Sequence, residues 1–211
     1  MRTIRWEELG EPTTYLDVLQ FAHARHNRIE ANEIHDVMQE GGDGNGIYLS
    51  SGGEGNLILR NLVYSSSSGQ AWGIRTDDDK HTTLMKGNIV FGKAFKIKHT
   101  NNRIENNIII NGGKEGVVVL TDSPDCRIYR NIFLNSEMRF LPKTRLTHYG
   151  EIDDVVYIDK NIYWGTDRKT AQDFYKFSRN MGFDKNSLFS DPGFNDPGQG
   201  SFDLLPGSKG I

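Results

Sequence analysis

The chain is short of the residues that staple or break a fold. One cysteine, Cys126, stands in 211 residues, which excludes a disulfide scaffold and any metal site built from thiolates. Proline is scarce at six, so the 23 glycines mark turns rather than a disordered, proline-rich tract. No apolar run approaches the roughly 20 residues that a membrane-spanning helix needs. Positive charge is not in excess: 25 Lys+Arg against 28 Asp+Glu leave a net charge of −3. A duplex nucleic-acid partner is therefore not expected, and neither is a membrane. The opening MRTIRWEELGEP has charges with no apolar stretch behind it. No secretory signal is read, and the chain as written is expected in the cytoplasm unless it belongs to a longer exported protein. Its length suits one domain, or at most two, with ample room for a core.

What the chain does have is repetition. Six segments carry alternating apolar residues around an asparagine: NRIEANEIH (27–35), NLILRNLVY (56–64), TLMKGNIVF (83–91), NRIENNIII (102–110), CRIYRNIFL (126–134) and VYIDKNIYW (156–164). Their central asparagines are Asn32, Asn61, Asn88, Asn107, Asn131 and Asn161, at spacings of 29, 27, 19, 24 and 30 residues. That period is one turn of a solenoid. Each segment reads as two short strands bent at the Asn. Most carry a third strand upstream: GIYLSS (46–51), GIRTDD (73–78), FKIKHT (95–100) and GVVVLTD (116–122). Three strands and three bends per turn, stacked at about 4.8 Å, describe an all-β, right-handed parallel β-helix of about six coils. Asn suits a bend because it tolerates the left-handed conformation and can bond to the Asn of the next coil. The six are therefore read as structural. No long amphipathic helices alternate with the strands, which disfavours a Rossmann or three-layer fold.

The organisation follows from where the repeat holds. Residues 1–26 form an N-terminal lead-in and first strand, 27–165 the coils, and 166–211 a C-terminal helix with an extended tail packed on the solenoid. The stretch 137–154 is an inserted loop, and long loops in compact domains often carry function. TAQDFYKFSRNMGF (170–183) has helical spacing, with Phe174, Phe177 and Met181 on one face, Tyr175 beside it, Thr170 as N-cap and Gly182 as stop. It is expected to cap the last coil. The tail beyond it is anchored by Phe189, Phe194, Phe202 and Leu204, with two Asp-Pro turns. The N-terminal end has little capping material, so either residues 1–12 fold across it or a second copy joins there as a homo-oligomer.

The Asn-Ile coils, the helix and the tail FDKNSLFSDPGFNDPGQGSFDLLPGS resemble the C-terminal part of bacterial right-handed β-helix proteins. That group includes the β-xylosidases of glycoside hydrolase family 120. In the tail, Asp184, Ser187, Asp191, Pro192, Phe194, Phe202, Leu204, Pro206 and Ser208 match the pattern; Ser201, Lys209 and Gly210 depart from it. The similarity covers roughly residues 27–211 and implies a carbohydrate-active protein. The larger relatives have further coils N-terminal to the point where this sequence begins.

The chemistry is sought in polar groups at the exit of the third strands. There the coils carry Ser50, Ser51 and Glu54; then Asp77, Asp78, Asp79 and His81; then Lys98, His99 and Asn101; then Asp122 and Ser123. Carboxylates on neighbouring coils would lie roughly 5 Å apart and those two coils apart about 10 Å, near the retaining distance and the inverting upper limit of glycosidases respectively. Asp77, Asp78, Asp122 and His99 are the catalytic candidates; Trp72, Arg75, Lys98 and Asn101 are candidates for substrate binding. Alternation places Lys98 and His99 on opposite faces, and His99 is favoured as the partner of the acids. A Ca²⁺ ion held by Asp77 and Asp79 is a candidate, although the spacing matches no loop motif. His35, Asp36 and Asp43 form a weaker cluster around a Gly-rich turn. Glu105 reads as an exposed strand residue, and Trp72 as the best aromatic ligand contact.

These observations favour a glycoside hydrolase working on a polysaccharide or oligosaccharide with paired carboxylates, because acids outnumber bases in the column. A lyase or epimerase on uronic-acid glycans is the alternative: cations such as Arg75, Lys98 or Arg103 would neutralise the substrate carboxylate while a base removes the neighbouring proton. A non-catalytic, glycan- or partner-binding β-helix is the third reading.

Overall fold

A computed structural model describes residues 10, 24–40, 44–50, 52–64, 71–77, 82–98, 101–120, 125–141, 156–197 and 200–208. Most of the lead-in, and residues 142–154 of the expected inserted loop, lie outside these. The strands are β1 Arg28–Glu30, β2 Glu33–Ile34, β3 Ile47–Ser50, β4 Glu54–Leu59, β5 Leu62–Val63, β6 Ile74–Asp77, β7 Thr82–Lys86, β8 Ile89–Phe91 and β9 Phe95–Ile97. They continue as β10 Arg103–Glu105, β11 Ile108–Leu120, β12 Cys126–Tyr129, β13 Ile132–Leu141, β14 Val156–Asp159 and β15 Ile162–Trp164. After helix α1, Arg168–Asn180, come β16 Leu188–Phe189, β17 Phe194–Asp196 and β18 Ser201–Leu204.

All pairings between turns are parallel. The first side runs β1-β4-β7-β10-β12-β14, and the second runs β2-β5-β8-β11-β13-β15-β16. The third side is β3-β6-β9 and the far half of β11, which turns the corner as one strand with irregular register around Gly113. The described residues form an all-β, right-handed parallel solenoid of about four turns with one helix among them. All six Asn-centred segments enter the first side, while about four turns complete the solenoid.

Inward positions stack like on like. Ile29, Ile58, Met85, Ile104, Ile128 and Ile158 are aligned along the first side. Facing them from the second side are Val63, Val90, Ile109, Phe133 and Tyr163, all buried. At the entry of the third side the backbones approach too closely for a side chain: a Cβ on Gly46 would meet the Gly73 carbonyl oxygen at 2.6 Å. The outer face of the second side is apolar as well. Ile132 and Ile162 are covered there by Phe194 and Phe202 of the antiparallel β17–β18 hairpin. That explains the Asn-Ile-Ile-Ile runs, which alternation alone would not bury on both faces. Leu204, expected among the tail's anchors, is 41% exposed.

The bends differ in one respect from expectation. The left-handed residue precedes each asparagine: Ala31, Arg60, Gly87, Asn106, Arg130 and Lys160 have φ between 51° and 67°. The asparagines are there for their amides. Asn32 Nδ2 donates to Asn61 Oδ1 at 2.9 Å, Asn61 to Asn88 at 3.0 Å, Asn88 to Asn107 at 2.9 Å, Asn107 to Asn131 at 3.0 Å and Asn131 to Asn161 at 3.3 Å. Each accepting oxygen also takes the backbone N–H of the preceding Asn. From Asn61 onward the other amide hydrogen goes to a first-side carbonyl of the turn before. Asp184 receives the last rung: its Oδ1 accepts from Asn161 Nδ2 at 3.1 Å. Shorter series run through Asn27 and Asn56 at one corner and through Asn111, Asn135 and Thr166 at another.

Helix α1 starts two residues before the expected cap. Asp167 is the N-cap, its Oδ1 accepting the Lys169 N–H at 3.1 Å. Its end is a Schellman turn: Gly182, at φ +89°, donates to the Arg179 carbonyl and Phe183 to that of Ser178. The buried face is Phe174 and Ser178, with Tyr175 half-buried; Phe177 and Met181 are 52% and 42% exposed, against expectation. Phe174 sits 5.5 Å from the Tyr163 ring, within the main core.

Candidate functional site

The third side turns alternate positions outward. Register aligns Tyr48 of β3 with Arg75 of β6 and Lys96 of β9, and Ser50 with Asp77. Lys98 follows the end of β9 and falls next to Asp77. The intervening positions, Ile74, Thr76, Phe95 and Ile97, are buried. Alternation therefore collects on one outer surface the groups that sequence order separates by a full turn.

These groups form one cluster around Asp77. Lys98 Nζ lies 2.8 Å from Asp77 Oδ1. Arg75 and the Tyr48 hydroxyl both donate to Oδ2, the hydroxyl at 3.0 Å. The Arg75 guanidinium lies 4.9 Å from the centre of the Tyr48 ring. Asp77 is 5% exposed, whereas the Lys98 side chain is 27% exposed, so the carboxylate is the floor and the cations are the rim. Lys98 and Arg75 are the cations that meet the acid. The candidates Asp78, Asp79, His99 and Asp122 lie outside the described residues. Of the two expected calcium ligands, Asp77 has both oxygens paired with cations, and Asp79 is not among the described residues. Among the described residues no three acidic, imidazole or thiol groups converge as a metal site. Asn101 stands exposed at the following corner in the left-handed conformation, φ 61°, where it forms a turn.

Trp72 precedes β6 and is 8% exposed. With Tyr64, Phe91, Lys93, Asn111 and Gly112 it lines a cavity of about 420 Å³ at the corner between second and third sides. The Lys93 ammonium lies 5.7 Å from the Trp72 ring centre and pairs with Glu115 at 3.2 Å. A neighbouring cavity of about 380 Å³ shares Asn111 and extends toward Thr166. Five residues of extended chain separate Trp72 from Asp77, about 16 Å, so the two belong to different subsites of any ligand lying across this face. The weaker cluster survives in part: His35 Nδ1 lies 2.7 Å from Asp36 Oδ2, while Asp43 is outside the described residues.

A second polar ladder covers the first side, and Glu105 belongs to it. Expected to be exposed, its residue is only 6% exposed. Lys86 and Arg103 each approach its carboxylate at 3.1 Å, and the Tyr129 hydroxyl donates to it. Two strands further on, in register, Asp159 accepts from Asn186 N at 2.6 Å and Asn186 Nδ2 at 2.7 Å. This network was legible only by aligning the repeats on the asparagine, which superposes Glu105, Tyr129 and Asp159. Burial pushes the Glu105 carboxyl upward, but the Tyr129 hydroxyl, Lys86 and Arg103 outweigh it and hold the group below its ordinary 4.5. Asp159 is held below 3.8 in the same way, burial being outweighed by bonds from Asn186, the Lys160 N–H and the Tyr157 hydroxyl. Neither is a proton donor at neutral pH, so this pair does not meet the inverting requirement for one raised and one ordinary carboxyl.

The sign of the pH effect follows. A carboxyl depressed in the folded state stabilises it fully above the unfolded value, and that stability is lost as pH falls through the folded value. Glu105→Gln is therefore expected to flatten the decline of thermal midpoint between about pH 5 and pH 3. Parallel midpoint profiles for wild type and variant would count against the network.

Stacked asparagines, aligned core positions and charged outer faces together define a parallel β-solenoid protein. The family model described as the right handed beta helix region matches residues 17–141, and the chain belongs to that family. No curated protein and no solved structure matches the chain.

Proposed function

We propose that the protein is carbohydrate-active, that it acts on the third outer side of the solenoid, and that its substrate is an acidic, uronate-containing glycan. The observation that carries this reading is the convergence of Arg75 and Lys98 on the single carboxylate of Asp77. The described cluster has more cations than acids, the reverse of what the sequence order suggested. Such a rim suits a substrate carboxylate, which Arg75 binds in bidentate fashion and Lys98 as a point charge.

Neutralising a uronate carboxylate acidifies the proton on the neighbouring carbon, the first requirement of both β-elimination and epimerisation. The base that takes this proton in this reading is His99, the partner of the acids expected from the sequence. Trp72 and Asn111 hold a more distant sugar residue. The same reading takes the solenoid as about six coils, one for each laddered asparagine, and α1 as the cap of its C-terminal end, supported by the burial of Phe174 against Tyr163.

The test is turnover on alginate and pectate, followed by the absorbance of unsaturated product and by epimer composition, with and without EDTA. Lys98→Ala is expected to lower turnover by about 10²–10³, the cost of removing one group that stabilises developing charge. Release of reducing sugar from neutral aryl-glycosides, with no change in acidic polymers, would instead favour hydrolysis by Asp77 with Asp78 or Asp122 and His99. Unchanged turnover in Lys98→Ala would remove the cluster from the mechanism.

A further inference from the structure

The first side carries a second charged surface, and its cations are only partly used. Glu105 is neutralised by Lys86 and Arg103, and Asp159 is held by Asn186 and Tyr157. Arg127, Arg130 and Lys160 remain exposed on the same face and its corner, with no ion pair from any of them among the described residues. Register sets Arg127 directly beside Arg103, and Arg130 and Lys160 occupy equivalent bends of consecutive turns. Like charges stacked on adjacent strands destabilise a sheet, and among the described residues Glu105 pairs with Arg103 but no carboxylate pairs with Arg127. Two aromatic rings lie between the cations: Tyr157, 47% exposed, meets Tyr129 edge-on at 6.1 Å. The Arg130 guanidinium lies 5.7 Å from the Tyr129 ring centre. The surface is positive and aromatic in a chain of net charge −3.

We infer that this face, around Arg127, Tyr129, Arg130, Tyr157 and Lys160, is a binding surface for an acidic polysaccharide running along the solenoid axis. The cations stand in two pairs on consecutive turns, Arg103 with Arg127 on the strands and Arg130 with Lys160 at the bends, each at the strand spacing of about 4.8 Å, close to the length of one 1,4-linked pyranose residue. Duplex nucleic acid carries charge at roughly 3.4 Å per strand, a poorer match to that spacing. The tyrosines supply apolar faces for sugar rings between charged contacts. The choice of a glycan rests on the carbohydrate reading above, but the surface lies on a different side of the solenoid from Asp77 and Lys98. It would hold polymer while the third side works on it.

Binding separates the two. Polygalacturonate, neutral dextran and a single-stranded oligonucleotide are titrated against the full chain and against the double variant Arg127→Gln/Arg130→Asn. Asn tolerates the positive φ of residue 130, and equal thermal midpoints check that the variant is folded. Wild type is expected to bind polygalacturonate, more weakly as salt rises, and not dextran. The double variant is expected to bind about tenfold more weakly, as the loss of charge-assisted contacts implies. Absence of binding by wild type, unchanged affinity in the double variant, or tighter binding of the oligonucleotide than of polygalacturonate would each overturn the inference. Failure of the catalytic reading shows instead as absent turnover, which this isotherm does not involve.

Discussion

Asn107→Ala is expected to lower the unfolding free energy by about 3–5 kcal/mol, the range in which a buried hydrogen-bond network is broken rather than trimmed. Asn107 is 1% exposed and sits mid-ladder. Its Oδ1 accepts the backbone N–H and the side-chain amide of Asn88, both at 2.9 Å. Its own amide donates to the Met85 carbonyl at 2.9 Å and to Asn131 Oδ1 at 3.0 Å. Alanine leaves two donors on Asn88 without their acceptor and takes a donor from the Met85 carbonyl and from Asn131 Oδ1, in a place that water does not reach. Each orphaned group costs about 1–3 kcal/mol, and relaxation recovers part of the sum. In a domain of this size the thermal midpoint should fall by roughly 10 °C. The adjacent Asn106 gives the control. It is exposed at φ 54°, so Asn106→Gly should leave stability within about 1 kcal/mol of wild type. Urea unfolding of both variants decides the matter, and equal midpoints would mean that the ladder contributes nothing beyond the bend.

Asp184→Ala is the second large effect, again about 3–5 kcal/mol. Asp184 is fully buried at the C-terminal end of the ladder. Its carboxylate accepts from Asn161 Nδ2 at 3.1 Å, the Tyr163 hydroxyl at 2.9 Å, the Ser187 hydroxyl at 2.5 Å and the Ser178 hydroxyl. Tyr163 is held well above its ordinary phenol value, by burial first and then by the Asp184 charge, so it remains a donor throughout the neutral range. Four donors from the last turns, α1 and the following loop meet on one acceptor. Removing it detaches α1 from the last turn in the same step. Asp184→Asn keeps an acceptor for Asn161 but turns a donor toward the hydroxyls, which can rotate to accept, so its loss should be smaller than that of alanine. Chemical unfolding with far-UV dichroism tests the order; a loss under about 1 kcal/mol for alanine would show that water replaces the carboxylate.

The two effects separate what could be read along the chain from what could not. The ladder was legible because an asparagine recurred at the same place in six alternating segments, a local and periodic signal. Asp184 was legible only as a match in the tail, because its partners lie on three elements and share no period. Glu105 misled for the same reason. Alternation correctly sets it outward, but outward is exposed only if nothing lies above it, and Lys86, Arg103 and Tyr129 reach it from neighbouring strands. The helix shows the limit in another form: its spacing was right, but its buried face was set by Tyr163 and Asp184, which select Phe174 and Ser178 over Phe177 and Met181.

The candidate site divides along the same line. Arg75, Asp77 and Lys98 could be gathered on one edge by stacking the turns. Their pairing could not, because which cation reaches Asp77 depends on the register between β6 and β9 and on the outward face of each. By itself, the sequence determined the parallel solenoid, its period and the asparagine column, all consequences of short-range alternation repeated at a near-constant interval. The tertiary structure alone decided which charges meet, which outward faces are covered, and where the ladder ends. Those depend on contacts one or more turns apart, and a side chain's environment is fixed by the strands stacked beside it rather than by its neighbours along the chain.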